Sequence, residues 1–221
     1  MGCGIIPHPI NFSHQGIKVN RIKRIVFGFS FFYLTLYIPL ALMVYFPYWY
    51  ILNFKFHHRY EMIGIESAVK YINELTCYFR HCGQLESPWS LKERIHLVDV
   101  RNILDVLLII GITVLLLTIF LFKSNRPKLP PLALLNLVII LSFIIIIPFF
   151  RYFWVNIFHP LLFDNYLWWN NYHDRSYYIM PGIFFKISMI FLIMVSAGIN
   201  GITWFFLRKL KGENSNNERS D

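Results

Sequence analysis

The chain has 221 residues, of which 56% are hydrophobic, 19% aromatic and only 15% charged, with a formal net charge of +9. A soluble domain of this size needs no such apolar excess, so a water-soluble enzyme is excluded. The positive charge sits where it sets membrane orientation and meets anionic lipid, which excludes nucleic-acid binding as its purpose.

Residues 1–24 read as a basic cytoplasmic arm carrying Lys18, Arg21, Lys23 and Arg24. Met1-Gly2-Cys3 does not continue into a myristoylation pattern, because Ile6 stands where Ser or Thr is required. The first apolar stretch, 25–46, is too long for a signal-peptide core and no small-residue cleavage site follows it. It reads as a transmembrane helix, as do 103–122, 131–150 and 183–207, each long enough for the roughly 20 residues that a bilayer crossing takes. The predicted fold is therefore an all-α integral membrane protein of four transmembrane helices. Pro39 and Pro148 are expected to kink their helices, and Ser196, Ala197, Gly198 and Gly201 to let the fourth pack closely. Asp105, Asn136 and Asn200 lie within the apolar stretches and are expected to bond across helices.

Charge fixes the orientation. The arm, the cytoplasmic turn 123–130 (Lys123, Arg126, Lys128) and the tail 208–221 (Arg208, Lys209, Lys211, Arg219) hold nearly all of the net charge. The loop 47–102 has seven Lys/Arg against six Asp/Glu, and 151–182 has two of each. Positive charge stays on the cytoplasmic side, so both termini are expected there and the two larger loops outside, as an extracytoplasmic cap. The polar tail is expected to be disordered.

Within 47–102, Trp49 and its tyrosine neighbours form an interfacial anchor, and Ile65, Val69, Ile72, Leu75 and Phe79 recur at helical spacing. That pattern predicts an amphipathic helix on the outer membrane surface or against the bundle. Cys77 and Cys82 are close enough in sequence for a local disulfide in an oxidising compartment. Ser90-Leu91-Lys92-Glu93 reads as a capping box, so the helix leading into 103–122 starts near Leu91. His96 would then stand roughly 10 Å above the apolar edge at Ile103. Asp99, at i+3, is on the same face and close enough to orient an imidazole.

The loop 151–182 is aromatic almost throughout and carries His159 near its middle, so it is expected to fold back and enclose a pocket. His57, His58, His81 and His173 read as polar residues at a wet boundary. From the residues alone, His96 and His159 stand evenly between that reading and a catalytic one. No His lies inside a transmembrane stretch and no compact zinc spacing occurs, so neither haem nor a metal is expected, and no cofactor at all. No Ser or Cys sits in a nucleophile motif, which argues against a covalent acyl-enzyme.

His96-Leu97-Val98-Asp99-Val100 resembles the His-x-x-Asp-Val element of the lipoprotein intramolecular transacylases, small bacterial membrane enzymes. Phe158-His159-x-x-x-Phe163-x-Asn165, followed by Trp168, Asp174, Met180-Pro181 and Phe184-Phe185, resembles that family more closely; Leu162 stands where an aromatic residue is common. The resemblance implies an acyltransferase of the bacterial cell membrane with its site at the outer leaflet. Its substrate partner is a diacylglyceryl-modified lipoprotein, whose sn-2 acyl chain moves to the α-amino group of the N-terminal cysteine. It implies His96 and His159 as the acid–base pair, with Asp99 orienting His96. Arg151 and Asn165 become candidates for holding the ester carbonyl or oxyanion, and Phe158, Phe163, Trp168 and Asp174 for the substrate pocket. A non-catalytic membrane assembly or transport protein, and a membrane acyl hydrolase, are the competing readings.

Overall fold

The computed structural model describes residues 12–217, with side chains from 21 to 209; the Met1-Gly2-Cys3 motif and the last four residues of the tail lie outside the described residues. No strand occurs among them, and helices carry the whole architecture. The long elements are α1 (Phe12–Tyr45), α4 (Leu91–Asn125), α5 (Leu129–Ser142) and α9 (Gly182–Asn217). Shorter helices α2 (Pro47–Asn53) and α3 (Ile65–Phe79) fill the first large loop, and α6 (Phe150–Phe153), α7 (His159–Leu162) and α8 (Ser176–Ile179) the second.

Among the described residues, three stretches are long and apolar enough to cross a membrane: Arg21–Tyr45, Leu91–Ile146 and Gly182–Lys209. The second has 56 residues, about 84 Å as one straight helix. The chain instead reverses at the 3₁₀ turn Arg126–Lys128, where Pro127 interrupts the helical hydrogen bonding. Leu121 of α4, Leu129 of α5 and Phe27 of α1 pack together at that end, with Leu207 of α9 against them. At the far end of α5 the helix tightens to 3₁₀ over Phe143–Ile146 and breaks at Pro148. Pro39, by contrast, stays inside the continuous α1.

Two element ends differ from the sequence reading. The helix α1 starts inside the basic arm, and α9 runs to Asn217, so the tail expected to be disordered is helical that far. Neither segment carries a proline, and a helix already nucleated extends at little cost per residue.

Helix α4 crosses α1 closely. Gly111 is required there: a Cβ would fall 2.5 Å from Cε1 of Tyr37. Tyr33 donates its hydroxyl to the Leu107 carbonyl at 2.6 Å and Tyr45 to that of Leu104 at 3.3 Å. On α9 the close-packed positions are Ser196 and Asn200, both fully buried. Gly198 and Gly201, expected to serve that role, have open space where a Cβ would stand. Ser196 Oγ donates to the Thr35 carbonyl of α1 at 2.8 Å, whereas Asn200 turns back on its own helix. Asp105 reaches His81 at 2.9 Å.

The amphipathic helix α3 packs on the bundle. Ala68, Ile72 and Leu75 are fully buried with Phe79 beside them, in a cluster that includes Trp49, Tyr50, Trp89, Leu97, Ile179 and Phe184. Burying each such aliphatic side chain contributes about 1.5–3 kcal/mol. Ile65, at the exposed start of α3, is the exception. A disulfide joins Cys77 to Cys82 just beyond the helix end. This cluster fixes the first large loop over the α4 N-terminus, and so sets where the residues around His96 emerge.

Candidate active site

Helix α4 begins as its sequence dictates. Ser90 caps it, accepting from the Glu93 amide at 3.2 Å, while Glu93 Oε2 accepts from the Ser90 amide at 3.0 Å. Lys92, Glu93, Arg94, Asp99 and Arg101 all fall in the first three turns, so the apolar part of α4 begins only at Ile103. His96 is on this polar collar.

His159 comes from the second large loop, at the junction of a π-helical turn, Trp154–Phe158, with α7. Its Nδ1 lies 2.7 Å from the Trp154 carbonyl and donates to it. That bond places the lone pair on Nε2. The ring is walled by Trp168 at 4.2 Å, Trp154 at 4.7 Å and Phe158 at 5.6 Å between centroids. Trp154 in turn stacks on Phe158 and on Phe185 at the start of α9. His159 is 6% exposed, which answers the question that the sequence left even: it is no loop histidine at a wet boundary.

The two imidazoles meet. The His96 and His159 rings are 6.5 Å apart between centroids, and Phe163 packs against both, at 4.7 and 5.7 Å. His96 Nδ1 is buried without a hydrogen-bond partner in the protein, and neither ring's Nε2 is among the buried unpartnered atoms. Each ring therefore keeps one nitrogen that a reacting group can reach. Burial, with the positive charges of a protonated His159 and of Lys92, lowers the pKa of His96 to about 4, against Asp99, which raises it. Burial likewise lowers His159, partly offset by the Trp154 carbonyl. At an effective dielectric constant of about 20, two positive charges this far apart repel by about 2.5 kcal/mol. At neutral pH both rings are neutral, and the pair holds one proton far more readily than two.

The remaining expected residues divide. Phe158, Phe163 and Trp168 line the pair. Asp99 makes no hydrogen bond to His96; its Oδ2 accepts from Asn165 Nδ2 at 3.3 Å, and it acts on His96 through charge alone. Asn165 Oδ1 also accepts from the Leu167 amide at 3.0 Å, which shapes the chain just before Trp168. Arg151 is exposed at the start of the loop and has no ion pair among the described residues.

Asp174 is 2% exposed, and its oxygens accept from Ser90 Oγ at 2.9 Å, Lys92 Nζ at 2.6 Å and the Asn171 amide at 2.8 Å. Burial alone would raise its carboxyl, but Lys92, the Asn171 amide and Ser90 together bring it below the usual carboxylate range. Its bonds tie the second large loop to the first turn of α4.

Lys92, Glu93 and Ser176 escaped the sequence reading as partners across the two loops. Glu93, 2% exposed, accepts on Oε1 from both the amide and the hydroxyl of Ser176 at 2.7 Å. The capping box disclosed the local half of Glu93's bonding; nothing in the local pattern pointed to the other half. His57, expected at a wet boundary, is buried against Phe54 and Tyr60.

Residues 25–185 match the family model of the lipoprotein intramolecular transacylase Lit. The fold is similar to that of the membrane-integral lipoprotein intramolecular transacylase Lit from Bacillus cereus. One solved structure of that protein has a TM-score of 0.76 at 20% identity, covering 89% of this chain and 99% of that one. Two histidine variants, one to alanine and one to arginine, each have a TM-score of 0.72 at 20% identity and cover 93% of this chain, with 99% and 97% of theirs. No curated protein matches the chain.

Proposed function

Because the chain belongs to the lipoprotein intramolecular transacylase family, we propose that it moves the sn-2 acyl chain of a diacylglyceryl-modified lipoprotein onto the α-amino nitrogen of that lipoprotein's N-terminal cysteine. The observation that carries the reading is the enclosed pair His96 and His159, brought together from two loops and walled by Phe163 and Trp168.

The transfer is an ester-to-amide exchange within one molecule. The amine nitrogen attacks the acyl carbon, the carbon–oxygen ester bond breaks, and the glyceryl oxygen leaves as a hydroxyl. Counting from nitrogen through Cα, Cβ, sulfur, two glyceryl carbons and the ester oxygen to the acyl carbon gives an eight-membered ring in the transition state. Such rings close reluctantly, so holding the two ends together is the main task, and rigid aromatic walls suit it. One neutral imidazole first takes a proton from the ammonium, which frees the lone pair that attacks. As the amide forms, the nitrogen gives a second proton to the other imidazole while the first ring delivers its own to the departing oxygen, and one proton leaves to solvent. Once the pair holds one proton, taking up a second at one ring favours giving up the first at the other, because the two charges repel. Asn165, held by Asp99 near the pair, is placed to support the ester carbonyl, as is Arg151 if the substrate draws it in. No water and no external nucleophile enter the scheme.

In this reading four legs cross the bacterial cytoplasmic membrane: α1, α4 below Asn102, α5 with its 3₁₀ end, and α9. Both termini are cytoplasmic, and the site faces the outer leaflet. The reversal at Arg126–Lys128 supports it, as do the basic residues at the opposite end of the bundle from the histidines. A carboxy-terminal alkaline phosphatase fusion is expected to be inactive; an active one contradicts this topology.

The decisive experiment is mass spectrometry of a reporter lipoprotein's N-terminus from cells with and without the protein. The expected product carries one acyl chain on nitrogen and one on glycerol. Release of free fatty acid with an unmodified amine points to a hydrolase and overturns the reading.

A further inference from the structure

Within 154–164 the polar side-chain bonds behind the aromatic wall are local ones, from His159 to the Trp154 carbonyl and from Asn156 to that of Tyr152. Trp168, which lies closest to the imidazole, is followed at once by Trp169, whose carbonyl accepts from Lys92 Nζ at 2.7 Å. The same ammonium bonds Asp174 Oδ2 at 2.6 Å. Lys92 thus gathers two points of the second large loop onto the first turn of α4, one turn before His96. Ser90 and Glu93 fasten the following segment, through Asp174 and Ser176. The Lys92 side chain is 29% exposed and that of its carboxylate partner 3%, so the pair is shielded from the screening that makes surface ion pairs weak.

We infer that Lys92 is a positioning residue for the transfer: by holding the Trp169 carbonyl and Asp174 together it keeps the Trp168 indole against His159 and the two histidines in register. Lys92 contributes no reacting atom. Two of its three N–H bonds are taken by the loop, and its ammonium charge also disfavours protonation of His96. Glu93 beside it secures the fold of the loop; Lys92 alone reaches the residue next to Trp168.

The kinetic arm of the test rests on the transacylase reading; the spectroscopic arm does not. In detergent-solubilised full-length protein, Lys92→Met keeps the aliphatic stem and removes the ammonium. The expected result is a kcat for conversion of a synthetic diacylglyceryl lipopeptide lower by about tenfold to a hundredfold, with KM within about twofold. The His159 ring signals, shifted by the adjacent indole in the unaltered protein, are expected to move toward their positions in Trp168→Ala. If Lys92→Met does not fold, Asp174→Asn, which keeps an acceptor of the same shape while removing the ion pair, is read in the same way. An unchanged kcat overturns the inference. So does a raised KM at unchanged kcat, which would make Lys92 a substrate-binding group, or a lowered kcat with His159 signals unmoved. An inactive unaltered protein with the indole shift present and lost on Lys92→Met would reject the transacylase reading and leave the clamp standing.

Discussion

The two halves of the second large loop are held by different physics. Residues 150–168 are held almost entirely by rings: Trp154 on Phe150, Phe158 and Phe185, and Trp168 on His159. Residues 169–176 are held by polar bonds to the start of α4, from Ser90, Lys92 and Glu93, with Arg175 Nε donating to the Pro88 carbonyl. The ring-held half carries His159; the polar half carries no reacting group. Apolar walls keep the histidine neutral and dry without offering competing hydrogen bonds. Apart from the bond of His159 Nδ1 to the Trp154 carbonyl, the directional bonds to the start of α4 lie a few residues away and supply the register that stacked rings alone do not.

Removing the chemistry itself should give the largest effect. His96→Ala and His159→Ala are each expected to lower conversion by about 10²–10⁴-fold, as for loss of a general acid or base. Mass spectrometry of the lipopeptide reads this directly, and either variant at wild-type rate rejects the pair. Next comes the polar half. Glu93→Ala leaves the buried Ser176 and Ser90 donors unpaired and should cost about 2–3 kcal/mol of stability, read as a lowered thermal midpoint in detergent. Glu93→Gln, which keeps an acceptor oxygen, should cost less. In the ring-held half, Trp168→Ala should lower kcat by about tenfold or more while the midpoint falls less than in Glu93→Ala. An equal fall in both would erase the distinction between the halves.

A subtler effect is electrostatic. By histidine NMR, His96 is expected to titrate below its ordinary 6.5, toward about 4. Since a protonated His159 disfavours a charge on His96, His159→Gln should raise that pKa; Asp99→Asn, which removes a favourable negative charge, should lower it further. The sign matters for mechanism: a depressed pKa keeps His96 unprotonated at neutral pH, and its basic form is lost only as the pH falls through the depressed value. Smallest of all, His58→Ala removes an exposed pairing with Glu61 at 3.0 Å and should leave conversion unchanged, as surface ion pairs contribute little.

Much of this was legible because membrane sequences are constrained locally. The apolar stretches, the Ser90–Glu93 cap and the amphipathic period of α3 each follow from rules that span a few residues. The misreadings share a cause. Gly198 and Gly201 are small, and smallness was taken for close packing, but which face of α9 meets α1 depends on the whole bundle. Asp99 stands at i+3 from His96, yet that spacing does not show that Asn165, 66 positions away, takes the carboxylate instead. The partners of Asp174 at Ser90 and Lys92 are likewise more than 80 positions away and leave no local trace.

The sequence by itself determined that the chain is helical and membrane-embedded, where its polar collars lie, and that two loop histidines were available. Lipid admits few backbone solutions, and charge is expensive to move across it, so those properties are written residue by residue. Tertiary structure alone decided that His96 and His159 meet. The segments that carry them are joined by Lys92 on Asp174 across 82 positions, and the wall behind His159 packs against α9. Contacts between distant segments arise from the packed whole, and no local period or spacing encodes them.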